Sequence, residues 1–586
     1  MEISTTHVFL ISYIIYPITY KIWGCKHNSR KLQVGRLPPA LRQIWKGHGL
    51  GLVTVKDRKA NNMWMFFMVF DNKMWVVIPS MVLFSGLVVC LIEHSDSPEE
   101  LSPWSNWSKI VLAPAPVPVI GLSLSKPQTT APQKYIVPKI EEEILVFDKR
   151  LSSVVPGKIT GENKTYELKG IDLAMKLHYI KGLYFFTNTL TSGSEGENAT
   201  SSFINIQEIK KPMFDWLISY FKASGRIRLS SLETGDRPSI KLNDAGIRIV
   251  EARSSKSIDE WLTMENFPAF NHQLVYDNVL GPDLAFSPLI CIQVTWFKCG
   301  GISMGLSWAH VLGDGLSASE FMNMLGQYIQ GHLQKPETLV HVDHPQSNYP
   351  PSDPAQEPIT VKRVNPVDNH WALPSNCKIG THIFHLTSQQ LSKLHSAVHN
   401  SERNEISTTI QSFEVITAII WKSIAKIRNY DMETNCVTIC RPKTTKRKQV
   451  MPYNGQILGK VEAKFSIQSA EPLQLVQLIA ENIVDESDIV EELVNKEMGE
   501  FDFFVYGANL TFVDMEKADV YGFELKGKIP RFASYAIDGI GDKGVILIHP
   551  GPKDDNRSKL VVVLLPENEI EPLKNELKEE WNVVNP

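Results

Sequence analysis

The sequence predicts an α/β protein. Three observations lead there. After about residue 146, strand-like runs take turns with helix-like runs. Residues 223–252 alternate Ile and Leu with Arg and Lys between Gly- and Asp-bearing turns, the pattern of antiparallel strands with one wet face. Residues 410–427 carry Phe413, Ile416, Ile420, Ile424 and Ile427 on one helical stripe.

The bounds fit a folded enzyme-sized protein. The chain has 586 residues, 43% hydrophobic and 21% charged, with net charge −4. Nothing in that balance points to nucleic acid. The seven cysteines include no C-x-x-C pair and read as reduced thiols.

Residues 1–111 read as an extension. Met74 to Ile92 (MWVVIPSMVLFSGLVVCLI) has no charge and is close to the roughly 20 residues that span a membrane. It is a candidate transmembrane segment, with a buried core helix as the other reading. Basic residues precede it and Glu93, Asp96, Glu99 and Glu100 follow it. The positive-inside rule would place the rest of the chain away from the cytosol. Residues 112–147 hold repeated prolines and read as a linker.

The main unit divides at a Pro-rich connection into 148–355 and 356–586. Residues 173–187 suit a strand, a turn and more strand. Pro212 is placed to open a helix that carries Phe214, Leu217, Ile218 and Phe221. Leu289–Phe297 and Ile302–Trp308 are two strands joined at Cys299-Gly300-Gly301, and Leu316–Gln330 returns to helical spacing. Val545–His549 and Leu560–Leu565 form a late strand pair.

Between the second of the central strands and its helix lies His310-Val311-Leu312-Gly313-Asp314-Gly315. Acyl transfer to an alcohol or amine needs a base for the nucleophile's proton, and histidine suits that task near neutral pH. Asp314 can fix the turn through backbone or Arg hydrogen bonds, or orient the ring. Gly315 permits close backbone approach. The spacing alone also fits a structural Asp-Gly turn beside a surface His. His341 with His344, and His382 with His385, make no convincing metal site, so no metal is assigned.

The surrounding residues add to that reading. TWFKCGGISMGLSWAHVLGDGLSASEFM (295–322) resembles the signature of the BAHD acyltransferase family. ASGRIR (223–228), LNDAGIRIVEA (242–252) and SFEVITAIIWKSIAKIR (412–428) resemble further family motifs in the same order. The resemblance covers about 148–586. It implies two chloramphenicol-acetyltransferase-like domains, each a mixed β-sheet with flanking helices, around a central channel. It implies His310 as general base and Asp314 as a structural residue paired with Arg441. It implies acyl-CoA as co-substrate, with no permanently bound cofactor.

Two segments depart from the family. Its D-F-G-W-G appears as Asp519-Val520-Tyr521-Gly522-Phe523-Glu524, where Asp519 and a displaced Gly522 survive. Its Y-F-G-N appears within YNGQILG (453–459). Together with 150–186 and 519–545, these departures resemble the Eceriferum-2/Glossy-2 branch of plant wax formation. That resemblance implies a partner of the elongase condensing enzyme in very-long-chain fatty acid elongation, binding acyl-CoA or a long acyl chain. It implies the cytosolic face of the endoplasmic reticulum (or the cytoplasm), against the charge rule. An active acyl-CoA-dependent transferase remains the alternative.

Overall fold

The computed structural model describes residues 143–583, apart from 189–201, 230–236, 340–346, 400–410, 429–434, 444–450 and a few scattered positions. Before residue 143 it describes four strands, Val53–Val55, Met65–Phe70, Lys73–Val77 and Val89–Ile92, in one antiparallel meander. The segment 74–92 is therefore not a single spanning helix, because Met74 pairs with Ile92 and Val77 with Val89. The aromatic and β-branched residues of 75–77, and Val89 and Ile92, favour strands. Among the described residues no helix is long and apolar enough to cross a membrane. The expected linker lies outside the described residues up to 142. Residues 1–137 and 138–586 are separate compact units.

The larger unit opens with β1 (Val146–Val154), α1 (Gly170–Ala174), β2 (Tyr179–Phe186) and α2 (Ile206–Ser219). Then come β3 (Ile247–Ser254), β4 (Ile290–Phe297), β5 (Ile302–Ala309) and α3 (Gly315–Ile329). The second half adds β6 (Ile379–Leu386), α4 (Ser412–Ile427), β7 (Cys436–Pro442), β8 (Gln456–Glu462), β9 (Val484–Asp485) and α5 (Ser487–Glu497). It ends with β10 (Leu510–Asp514), β11 (Phe532–Asp538), β12 (Val545–Pro550), β13 (Lys559–Pro566) and α6 (Glu567–Trp581).

Two mixed sheets result. The first has the order β11-β2-β5-β4-β3-β1, with β3 and β4 parallel and the other pairs antiparallel. The second has the order β6-β13-β12-β10-β7-β8-β9, with β10 parallel to both β7 and β12. Five strands of the first sheet come from residues before 355. The sixth, β11, comes from 532–538 and pairs Phe532 with Phe185 and Asp538 with Tyr179. The two halves of the chain thus share a sheet as well as a core, in which Trp216, Trp308, Tyr506 and Phe523 are all buried.

Three local expectations need correction. The run 173–187 starts with helix rather than strand: residues 173 and 174 close the short helix 170–174, where the Asp172 carboxylate accepts from the Lys169 N–H, and the strand begins at Tyr179. Helix α2 starts well before Pro212: Asn205 accepts from the N–H of Gln207 and Glu208, and Glu208 reaches back to the Asn205 N–H. That capping box decides the start, and Pro212 lies inside the helix. The strand Arg226–Arg228 lacks the wet face expected for it. The Arg226 guanidinium is buried and donates to the carbonyls of Gly225, Ala245 and Gly246.

Candidate functional site

β5 ends at Ala309, and a single 3-10 turn, His310–Leu312, carries the chain into α3. Gly313 has a φ of 155°, and a Cβ there would lie 2.7 Å from the Tyr453 nitrogen. Only glycine fits this corner without moving the neighbouring backbone. Asp314 is the N-cap of α3. One carboxylate oxygen accepts from the Ser317 N–H at 3.1 Å and the other from the Gly455 N–H at 3.0 Å. Its role is to fix the turn and tie it to residues 453–455, as one of the two expected roles required.

The expected partner Arg441 is engaged elsewhere. It lies in β7 and bonds Asp514 at 2.9 Å and Glu414 at 2.7 Å, with its guanidinium over Phe413. The pairing of Asp314 with Arg441 is therefore corrected. The arginine instead neutralises two mostly buried carboxylates of the second sheet and α4. Gly315 opens α3, and a Cβ there would press on the Met515 thioether.

Asp519 and Gly522 lie against α3, away from the His310 ring. The Asp519 carbonyl accepts from the Ser319 hydroxyl at 3.2 Å and the Asn323 amide at 2.8 Å. A Cβ on Gly522 would overlap the Asp519 carboxylate, and one on Gly326 would sit 2.7 Å from the Glu524 carbonyl. Phe523 packs edge-on to Tyr184 and Phe186. The altered segment is thus a packed brace along α3.

The His310 ring is 0% exposed. Its Nδ1 lies 3.0 Å from Asn454 Oδ1 and its Nε2 lies 3.0 Å from the Tyr506 hydroxyl. The bonding around it fixes the tautomer. Asn454 Nδ2 donates to Asp172 Oδ1 at 2.8 Å and to the His310 carbonyl at 3.0 Å, so Oδ1 is the acceptor face of that amide. His310 Nδ1 must then carry the proton, which leaves a lone pair on Nε2. Gln456 Nε2 donates to the Tyr506 oxygen at 2.6 Å, so the phenolic hydrogen is free to point at Nε2. His310 thus has the tautomer that a general base would need, and its Nε2 lone pair is capped by a phenol of the same chain.

Burial keeps the two imidazoles neutral. Burial is the main cause that lowers the His310 pKa, partly offset by Asp314, Asn454 and Asp172. His178 is pushed down to about 3, chiefly by burial and then by His310. Its Nδ1–H donates to the Gly539 carbonyl and its Nε2 accepts from the Val505 N–H at 3.0 Å. Burial also pushes Lys222 down to about 8. That ammonium donates to the carbonyls of Leu312 and Pro452 and sits 3.9 Å from the centre of the Tyr166 ring. Tyr506, Asn454, His178, Asp172 and Lys222 were not singled out by sequence reasoning. Asn454 alone had a signal, through the YNGQ motif. Among the described residues no cluster fit to hold a metal is found.

The two mixed sheets and the buried H-x-x-x-D-G turn between them define a protein of the acyltransferase fold. The model of the Transferase family matches residues 148–580, and the chain belongs to that family. It is 37% identical to Protein ECERIFERUM 2 of Arabidopsis thaliana, over 74% of this chain and 98% of that one. It is 36% identical to Protein ECERIFERUM 26-like of the same plant, over 73% and 94%. Among solved structures, it resembles vinorine synthase with a TM-score of 0.52 at 16% identity, over 74% of this chain and 98% of that one. It also resembles TRI101 of F. graminearum complexed with coenzyme A and deoxynivalenol, with a TM-score of 0.51 at 13% identity, over 72% and 98%. At those identities the two structures speak for the fold alone.

Proposed function

We propose that this chain serves cuticular wax formation as a non-catalytic partner of an elongase condensing enzyme in very-long-chain fatty acid elongation. The observation that carries this reading is the capped base. A general base needs hydrogen-bond reach to the proton it removes. Here Nε2 of His310 already accepts from Tyr506, and the ring is fully buried. Likeness to the ECERIFERUM proteins supports the pathway. The chain would work at the cytosolic face of the endoplasmic reticulum, where acyl-CoA is made and used. Protection of residues beyond 150 from protease in sealed microsomes would overturn that placement.

The test is co-expression with a plant condensing enzyme in yeast, with acyl chain lengths as the readout. Wild type and His310→Ala should extend chains equally beyond the enzyme's own limit. Loss of all added extension in His310→Ala would sink the non-catalytic reading.

A second reading, an acyl-CoA-dependent transferase with His310 as base, is favoured by one observation. Asn454 holds the tautomer that leaves a lone pair on Nε2. Steady thioester consumption with a hydroxyl or amine acceptor, abolished in His310→Ala, would establish it. No turnover across a broad acceptor panel would remove it.

A further inference from the structure

A cleft of about 1300 Å³ opens beside the His310 turn without including His310. This is larger than the roughly 300–1,000 Å³ common for small-molecule pockets. Residues 158–160 and 164–169 of the β1–α1 connection form one wall, and the end of α2 and the turn after it form another. The apolar lining includes Tyr166, Leu168, Ile218, Phe221, Leu242 and Met451, buried or half-buried, with Ile159 exposed beside them. Lys158 and Lys164 are exposed on the lining, with Lys169 and Arg237 half-buried.

The charge on this wall is unbalanced, with four cations against two carboxylates, Glu167 and Glu491. Among the described residues none of the four cations is ion-paired with a carboxylate. Arg237 makes a side-chain hydrogen bond to the backbone. Its Nε donates to the Leu168 carbonyl, and its terminal nitrogens have no protein partner among the described residues. The planar fork of a guanidinium suits a carboxylate or phosphate. Cations that no described carboxylate pairs, set beside an apolar trough, suit a ligand with both features.

We propose that this cleft binds an amphiphile with one anionic head group and an aliphatic chain. The head lies among Lys158, Lys164 and Arg237, and the chain lies along Tyr166, Ile218 and Phe221. The site goes beyond the function proposed above and does not depend on it. The geometry also links the cleft to the His310 turn. Tyr166 lines the cleft on one face and carries the Lys222 ammonium against its ring, and Lys222 holds the Leu312 and Pro452 carbonyls.

The experiment uses the full chain and the fluorescent fatty acid cis-parinaric acid, displaced by oleate, oleyl phosphate or oleyl alcohol. Oleate, oleyl phosphate or both should displace the probe, and oleyl alcohol should not. The stronger displacer names the head group, and equal displacement means that charge alone selects. The double variant Lys158→Glu, Lys164→Glu changes exposed side chains only and should melt as wild type. Its affinity should fall by about tenfold or more. A diazirine-bearing fatty acid should label peptides within 158–169 or 214–222. Failure to bind the probe, equal displacement by oleyl alcohol, unchanged affinity in the double variant, or labelling confined to other peptides would each overturn the proposal.

Discussion

At the scale of single residues, the site depends on amide and hydroxyl orientation as much as on the histidine itself. Asn454 joins Asp172 to His310 and to the backbone of the turn. Asn454→Asp would place a second carboxylate within hydrogen-bond range of Asp172 in a buried site. Like charges there cannot both ionise, so we expect a loss of about 3 kcal/mol or more, read as a drop in the urea midpoint at neutral pH. Tyr506→Phe removes the acceptor of the Gln456 amide and should cost about 1–3 kcal/mol in the same assay. An unchanged midpoint would mean that the Tyr506 hydroxyl is not part of a satisfied network. His310, Asp314 and Gly315 were legible in the sequence because they are contiguous and form a motif. Tyr506 was not, since it meets His310 across 196 positions of chain and stands in no motif.

At the scale of elements, periodic segments were legible and the residues that start them were not. The α4 stripe and the paired strands β4 and β5 fell where alternation and helical spacing put them. The start of α2 was misjudged because proline at a first turn is a weaker signal than a complete capping box. The Arg441 pairing failed for another reason. A strand residue's partner depends on which strand lies next to it, and β10, which supplies Asp514, arrives about 70 residues later. Arg441→Met should therefore leave Glu414 and Asp514 close together without their cation, at a cost of about 3–5 kcal/mol in thermal or urea denaturation. Gly326→Ala tests the brace along α3. Alanine favours helix, yet the Glu524 backbone lies in its way, so a net loss of about 1–2 kcal/mol is expected by the same measurement.

At the scale of the whole molecule, buried neutral histidines set the response to acid. The pKa of His178 is about 3 in the folded state, below the ordinary 6.5, and that of His549 is about 4. Above pH 6.5 neither state binds the proton. As pH falls below that value the unfolded chain takes it up and the folded chain does not, so stability drops. Between pH 7 and 5 these two groups should remove roughly 2–4 kcal/mol, seen as a falling urea midpoint. A flat midpoint across that range would contradict their burial as neutral rings. The sharing of one sheet between early and late residues was not legible, since nothing in 532–538 marks it as a strand of the first sheet.

That borrowed strand has a consequence for how the protein is made. The β2 edge is synthesised early, and its partner β11 follows roughly 350 residues later. At the usual pace of translation this leaves the edge without its native neighbour for roughly 20–70 s. An open, apolar strand edge is a template for wrong pairing. The nascent chain is therefore a natural client for chaperones throughout the synthesis of its second half, and slowing ribosomes between residues 355 and 532 should lower the soluble yield.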